Sequence, residues 1–403
     1  MLLNLLRKGC PDIMEQNVEY VTLSDGWKAV IYREWVFPSE VVAEWDKLAE
    51  SSGDTGIFIS YGWFENWWNA FGKEGELLVV VLIRDGVIAG IFPCRIDSAQ
   101  NGAKEIKFLT NDHTYYNDFI VTPACMPAAL MQFMRLLNKI YPDAQLLIDC
   151  LKAAGNRFDA LTAELHRARI PFQTESCPWA PWTDVSGDMA TYQKLLPRKR
   201  KSDLQRCRKR AEQQGALSLE IIRQSDILDS ILDTIFEIED KSWKGTDGTA
   251  IKCDAKVERF YRGIAKWAMK NNKLHLFILK IGNKAISMNL CLNSGRTLFC
   301  LKVGYDEAFK NLSPGNLLYW EMFSYLFEAP ELTVYNFMGA CEPWKMEWTQ
   351  QTDEYGWIRA YPRSLKGRSR YMLRYGWKNL LKRFDAVRKI KIYLDGKRER
   401  HAV

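Results

Sequence analysis

Apolar and polar positions recur along this chain in two similar blocks. Leu77-Leu-Val-Val-Val-Leu-Ile83 is followed by Asp85-Gly86 and a second apolar run to Cys94, the pattern of a β-hairpin closed by a tight turn. Leu274 to Cys291 repeats it around Gly282-Asn283. After each hairpin come a further strand pattern (Glu105 to Leu109; Leu298 to Val303), a polar loop, an apolar helix (Met126 to Ile140; Gly315 to Phe327) and a short strand (Gln145 to Asp149; Leu332 to Phe337). Before each lies a helical pair, Glu40 to Glu50 with Trp63 to Phe71, and Ile227 to Trp243 with Val257 to Asn271. Chance repetition explains one such match less awkwardly than a whole series in the same order. The pattern predicts a tandem duplication of one α/β unit.

Between the blocks, Met189 to Gln214 reads as one long helix with Tyr192, Leu196, Leu204, Cys207 and Ala211 along one side. Trp377, Leu380, Leu381, Phe384 and Val387 predict a basic C-terminal helix, with a loose tail from Gly396. The expected organisation is a first domain over 1–186, a basic connecting helix over 187–215, a second domain over 216–366 and a basic helix and tail over 367–403.

Composition narrows the classes. A chain of 403 residues, 47% apolar, with 15 Trp, 17 Tyr and 19 Phe, is folded and long enough for two cores. The net charge of +7 favours anionic partners without choosing among phosphates, acidic proteins, membrane surface or RNA. Ten cysteines form no C-x-x-C and no metal-ligand spacing with histidine, so they read as small core residues in a reducing compartment. Met1 to Leu6 is too short for a signal-peptide core, and the apolar run Leu77 to Ile83 is too short to span a bilayer. The expected location is cytoplasmic, with membrane contact through the C-terminal helix as one option.

The segment Thr297 to Trp348 carries the candidate chemistry. A strand passes into Gly304-Tyr305-Asp306, and Ser313-Pro314-Gly315 then opens a helix. A helix start presents unpaired N–H groups and the positive end of its dipole, and glycine admits close approach, so this turn is a candidate phosphate cradle. The first block has Thr122-Pro123-Ala124-Cys125-Met126 in the matching place, without the glycine. Only the second block is therefore expected to hold the donor.

Ser242-Trp-Lys-Gly245, Phe260-Tyr-Arg262, Tyr305-Asp-Glu307, Ser313-Pro-Gly315 and Trp344-Lys-Met-Glu-Trp348, in this order, resemble the GNAT-fold acyltransferases. Within them the chain is similar to the CelD-like group of bacterial polysaccharide and envelope biosynthesis, related in tandem architecture to the peptidoglycan bridge-forming peptidyltransferases. Phe58-Ile-Ser60, Trp63, Trp67, Asp85-Gly86 and Tyr116-Asn-Asp118 add support from the first block. The sequence departs from the family at Asn336, where an acidic residue is common, and in lacking the Arg/Gln-x-x-Gly-x-Gly/Ala motif. The resemblance implies an α/β (α+β) fold of tandem GNAT-like domains, each a mixed, mostly antiparallel sheet flanked by helices. It also implies direct attack of an amine on an acyl thioester.

That chemistry needs a donor anchor, an oxyanion donor, an amine-proton acceptor and an acid for the thiolate. Leu301, Lys302 and Val303 are expected to pair with pantetheine and supply an oxyanion N–H, and Asn311, Ser313, Gly315 and Asn316 to take the phosphates. Asp306, Glu307 and Glu239 are the candidate proton carriers, although a solvated carboxylate is the commoner fate of each. Tyr305 is the candidate thiolate acid. Trp243, Lys244, Trp344, Lys345, His113 and Tyr116 are expected to shape the acceptor side, and His275, in an alternating strand, to face outward. No metal site, Ser/His/Asp triad or nucleotide P-loop is evident.

The run Arg198 to Arg210 holds eight basic residues and one acid. It reads as a solvated helix face, as a dock for an acidic acyl carrier protein or the phosphates of coenzyme A, or as an RNA contact. No aromatic residue interleaves it, which disfavours base stacking. The preferred expectation is an N-acyltransferase taking acetyl-CoA, acyl-CoA or acyl carrier protein and acylating an amino sugar or amino-acid-like amine in polysaccharide or envelope assembly. The alternatives are an aminoacyl-tRNA-dependent peptidyltransferase and a non-catalytic scaffold or regulatory module. Acyl length, acceptor identity and oligomeric state are not encoded legibly.

Overall fold

The computed structural model describes residues 18–99, 102–153 and 156–376. The basic helical pattern from Trp377 onward and Cys10 lie outside the described residues. Strands are β1 Val18–Thr22, β2 Trp27–Tyr32, β3 Glu76–Arg84, β4 Val87–Ser98, β5 Lys104–Phe108, β6 Ile120–Val121, β7 Gln145–Lys152, β8 Phe172–Asp184, β9 Leu217–Ile222, β10 Leu274–Ile281, β11 Lys284–Ser294, β12 Thr297–Tyr305, β13 Val334–Asn336 and β14 Gln351–Ala360. Both hairpins form where the sequence places them, and at the first Asp85 and Gly86 both take positive φ (51° and 81°).

The strands make one continuous sheet, ordered β1-β2-β3-β4-β5-β7-β14-β8-β13-β12-β11-β10-β9. Its two halves repeat the same antiparallel run and the same single parallel pair, β5 with β7 and β12 with β13. The join is an exchange. β14, the last strand of the second half, pairs with β7 of the first, while β8 of the first half pairs with β13 of the second. β8 and β14 also pair with each other over most of their length. Each half therefore borrows a strand to cover the edge left by its own last parallel strand.

Helices cover both faces. On one face α1 (Ser39–Glu50), α2 (Tyr61–Phe71), α7 (Leu228–Asp240) and α9 (Ala255–Lys270) share a single core that crosses between the halves. On the other, α3 (Met126–Ile140) and α4 (Asn156–Arg167) cover the first half, and α5 (Met189–Leu195), α6 (Arg198–Glu212) and α10 (Pro314–Leu326) cover the second. At the α2–α9 contact, Trp63 meets Phe260 edge-on at 5.3 Å, and Gly62 lets the Trp267 ring approach until an added Cβ would lie 2.0 Å from its Nε1. Gly62→Ala is expected to overpack this contact and lower stability by about 1–3 kcal/mol, readable as a lower midpoint in urea with an unchanged m-value.

Two expectations are corrected here. The helix over Met189 to Gln214 is two helices, because Pro197 has no N–H to donate and crowds a helical conformation at Leu196, whose ψ is 140°. His275 does not face outward but is fully buried, since helices cover both faces of β10. Neither ring nitrogen has a hydrogen-bond partner, and burial pushes its pKa down to about 4. The unfolded chain then binds more protons than the folded one between pH 6.5 and 4, so stability is lost as pH falls through that window. The shift corresponds to about 3 kcal/mol. His275→Leu is expected to flatten the acid limb of a melting-temperature profile without lowering stability at neutral pH.

Among the described residues no helix is long and apolar enough to cross a membrane. The nine described cysteines are free thiols, five of them buried.

Candidate functional site

β12 and β13 pair only from Thr297 to Phe299 against Val334 to Asn336. Beyond that point β12 runs on to Tyr305 while the other chain turns away through Met338 and Gly339, both at positive φ. The turn is held from three sides. Asn336 Oδ1 accepts from the Met338 N–H at 2.8 Å, Gly339 O accepts from the Ala180 N–H, and Lys345 Nζ donates to Met338 O at 2.7 Å and Ala340 O at 3.1 Å. The sheet is thus wedged open, and a cavity of about 850 Å³ fills the wedge.

Three features of its wall derive from local sequence. Leu290 faces Lys302 and Cys291 faces Cys300, so Leu301 is the extra residue of a β-bulge and lacks a regular ladder partner. From Cys300 on, the β13 side of β12 is open strand edge. At the far end Ser313 takes φ 51°, Pro314 begins α10 without an N–H to satisfy, and no side chain caps the helix, so the turn exposes the backbone of Gly315 and Asn316. Strand edge, bulge and helix start line one cavity.

A buried ion cluster stands behind β12. Gly304 lets the strand lie against α7, where an added Cβ would come 2.8 Å from Glu239 Cα. Glu239 is fully buried. Its Oε1 accepts from Lys244 Nζ at 3.1 Å and lies 3.7 Å from Lys302 Nζ, and its Oε2 accepts from the Ile251 N–H at 2.9 Å. Lys244 also donates to Val303 O at 2.6 Å. Lys302 is buried, with Nζ 5.0 Å from the centre of the Tyr261 ring. Burial lowers its pKa, Glu239 opposes that shift, and the Lys244 charge adds to it. The Tyr261 hydroxyl lies 3.3 Å from His113 Nδ1. His113 stacks on Phe71, and its pKa falls to about 4 through burial first and Lys302 second, so it is neutral at pH 7.

Residues 198–346 match the acetyltransferase (GNAT) domain family. This part of the chain is a GNAT acyltransferase domain. The match runs from the first residue of α6 to the last of α11 (Pro343–Met346), and so contains the wedge and the cluster. None of the curated proteins matches the chain significantly. Among solved structures the chain is similar to FemX, at 12% identity over 79% of this chain and 95% of that one, with a TM-score of 0.53. It is also similar to a conserved protein of unknown function from Bacteroides thetaiotaomicron, at 12% identity over 79% and 97%, with a TM-score of 0.52. Both likenesses concern the fold, and with the duplicated sheet they make it a tandem GNAT-like architecture.

The sequence-predicted residues divide against this geometry. Leu301, Lys302, Val303, Ser313, Gly315 and Asn316 line the GNAT cavity, as do Tyr305, Trp243, Lys244, Trp344, Lys345 and His113. Asn311 does not; it is exposed, and Lys310 lines the wall instead. Asp306 and Glu307 do not line the cavity either. Asp306 caps the turn Glu307–Leu312 by accepting from the Ala308 N–H, and Glu307 accepts the Tyr305 hydroxyl proton at 3.0 Å. Lys345 reaches the cavity with its Nζ already committed to two carbonyls, a loop anchor more than an anion clamp. Glu239 acts through the lysines in front of it.

Tyr116 belongs elsewhere. With Asn117, Asp118, Pro123, Met126 and Arg157 it lines a second cavity of about 790 Å³ beside the end of β7, the first half's counterpart of the wedge. There the split between β5 and β7 is bridged by Asn117 against Leu151, so the chain fills its own gap. Asp112, Tyr115 and Trp179 reach from the first half into the GNAT cavity instead. Sequence reasoning missed these, and it assigned Lys302 to binding only. Its signal was there: a single lysine inside the apolar run Leu298-Phe-Cys-Leu-Lys-Val303.

Proposed function

We propose that this protein transfers an acyl group from a pantetheine thioester, carried by coenzyme A or a carrier protein, to the primary amine of an amino sugar or amino-acid-like acceptor in polysaccharide or envelope assembly. The observation that carries this reading is the open edge of β12, bulged at Leu301 and leading to an uncapped helix start, inside the matched GNAT domain. An extended pantetheine arm pairs with such an edge as an added strand would, and its phosphate lies at Ser313 to Asn316. The amine nitrogen attacks the thioester carbon, and the freed backbone N–H at the bulge takes the developing oxyanion. Lys302 in its neutral form accepts the amine proton, and the C–S bond breaks to release the thiol. Asp112, His113, Tyr115 and Trp179 wall the acceptor side, with neutral His113 as a hydrogen-bonding group that adds no charge.

The test is a thiol-release assay with acetyl-CoA, longer acyl-CoAs and acyl-pantetheine against hexosamines and amino acids. Thiol release that requires both protein and amine, with the amide seen by mass spectrometry, is the expected result. Absence of amine-dependent release from every thioester overturns the reading.

A further inference from the structure

The helix α6 is more basic than its packing requires. It buries Leu204, Cys207 and Ala211 against the second half's core. Its inward cations are neutralised. Arg200 pairs with Glu347, donates to Asn316 Oδ1 at 3.1 Å and lies 4.1 Å from the centre of the Trp348 ring; Arg208 pairs with Glu212 at 3.0 Å and with Glu321 on α10 at 2.8 Å. The outward cations are not. Arg198, Lys199, Lys209 and Arg210 are exposed, and among the described residues none has an acidic partner. They flank an Arg206–Asp203 pair and the neutral Ser202 and Gln205, so unpaired charge is concentrated at both ends of the helix.

Placement gives the face its meaning. α6 packs against the turn Glu307–Leu312 and against α10, whose first residues form the uncapped helix start of the cavity. Arg200 ties the two together, since Asn316 itself lines the cavity. Lys310, exposed on the same turn, continues the positive surface to the cavity wall. A partner bound on α6 therefore stands over the end of the cavity that holds the donor's phosphate in the reading above.

We propose that the outward face of α6 docks an acidic carrier protein, whose phosphopantetheine arm delivers the acyl thioester past Ser313–Asn316 into the cavity. The inference rests on the thioester reading and names the donor's carrier. Two ends of free charge separated by a neutralised middle suit discrete carboxylates on a small protein helix. A continuous polyphosphate fits less well, because the exposed acids Glu212, Glu342 and Glu347 interrupt the surface around the cations and repel an unbroken run of negative charge. Aromatic faces for stacking bases are absent from the helix.

The experiment titrates the full-length protein with a fluorescently labelled bacterial acyl carrier protein in holo form, in low and in 150 mM salt, beside a tRNA of equal label. The comparison variant carries Arg198→Glu, Lys199→Glu, Lys209→Glu and Arg210→Glu, with its melting temperature measured as a folding control. Carrier binding that weakens at least tenfold in the variant and with salt, while turnover of acyl-pantetheine is unchanged, is the expected result. Equal carrier binding by both proteins overturns the proposal, as does tRNA binding tighter than carrier binding on the same face. A variant that loses acyl-CoA turnover but keeps carrier binding overturns it too, by assigning the cations to the phosphates of coenzyme A. Failure of the wild type to turn over acyl-pantetheine sinks the transferase reading and leaves the docking result to stand or fall by binding.

Discussion

Replacing Lys302 by methionine is expected to lower kcat by about 10²- to 10⁴-fold, the range for removing a positioned proton carrier, with KM for the thioester little changed. The fold should survive. Methionine keeps the buried stem against Tyr261, and Glu239 retains Lys244 and the Ile251 N–H as partners. The discriminating variant is Lys302→Arg. Arginine restores the positive charge beside Glu239 but does not give up its proton at any working pH, so a proton-accepting role predicts that it stays inactive. Recovery of activity with arginine would make Lys302 a positioning cation. The pH profile supplies a second readout. Because burial lowers the Lys302 pKa, the neutral base becomes available at lower pH than for a free lysine, so wild-type kcat/KM rises with pH through that lowered value. The rise should vanish in Lys302→Met.

Much of the fold was legible because the strongest signals are local. Asp85-Gly86 closes its hairpin with the backbone those residues favour, and α3 runs from Met126 to Ile140 as its apolar spacing predicts. The exchanged strands were not legible. β8 and β14 are half-buried strands carrying Pro178, Pro181 and Gly356, and no local pattern says that each is paired across the other half's edge. Those pairings are set by long-range contacts that a window of residues cannot contain. Pro197 was legible, and its effect on Leu196 was outweighed in the sequence reading by an apolar periodicity that runs on across the break.

The site shows the same division. The helix start at Ser313-Pro314-Gly315 and the cavity-lining part of β12 were found from local chemistry. The proton carriers were placed by their nearness in sequence to Tyr305, and there the reading went wrong: a carboxylate just before a helical turn caps it, as Asp306 does. Burial decided the rest. Glu239 and Lys302 lie 63 residues apart in the chain, and the packing that removes both from water becomes visible only when α7 is laid against β12 at Gly304. His113 follows the same logic, since it reaches the second half's cavity from a loop of the first.

The largest loss of stability is expected from Glu239→Ala. Glu239 is the one acid facing two buried lysines, and its second oxygen holds the Ile251 N–H, so its removal strands two ammonium groups and a backbone donor. Breaking a buried pair by deleting one partner costs about 3–5 kcal/mol, a large fraction of the roughly 5–15 kcal/mol that holds a domain folded. Glu239→Gln keeps the shape and the Ile251 contact but not the charge, and should recover only part of the loss. The sharper test is a cycle with Lys302→Met. With Lys302 gone, Glu239 has one ammonium fewer to neutralise, so Glu239→Ala should destabilise the Lys302→Met protein less than the wild type by about 1–3 kcal/mol of coupling. Urea midpoints and m-values for the four proteins give that number directly. Strict additivity would mean that the 3.7 Å approach of Lys302 to Glu239 carries no energy, and that Lys302 owes its lowered pKa to burial and Lys244 alone.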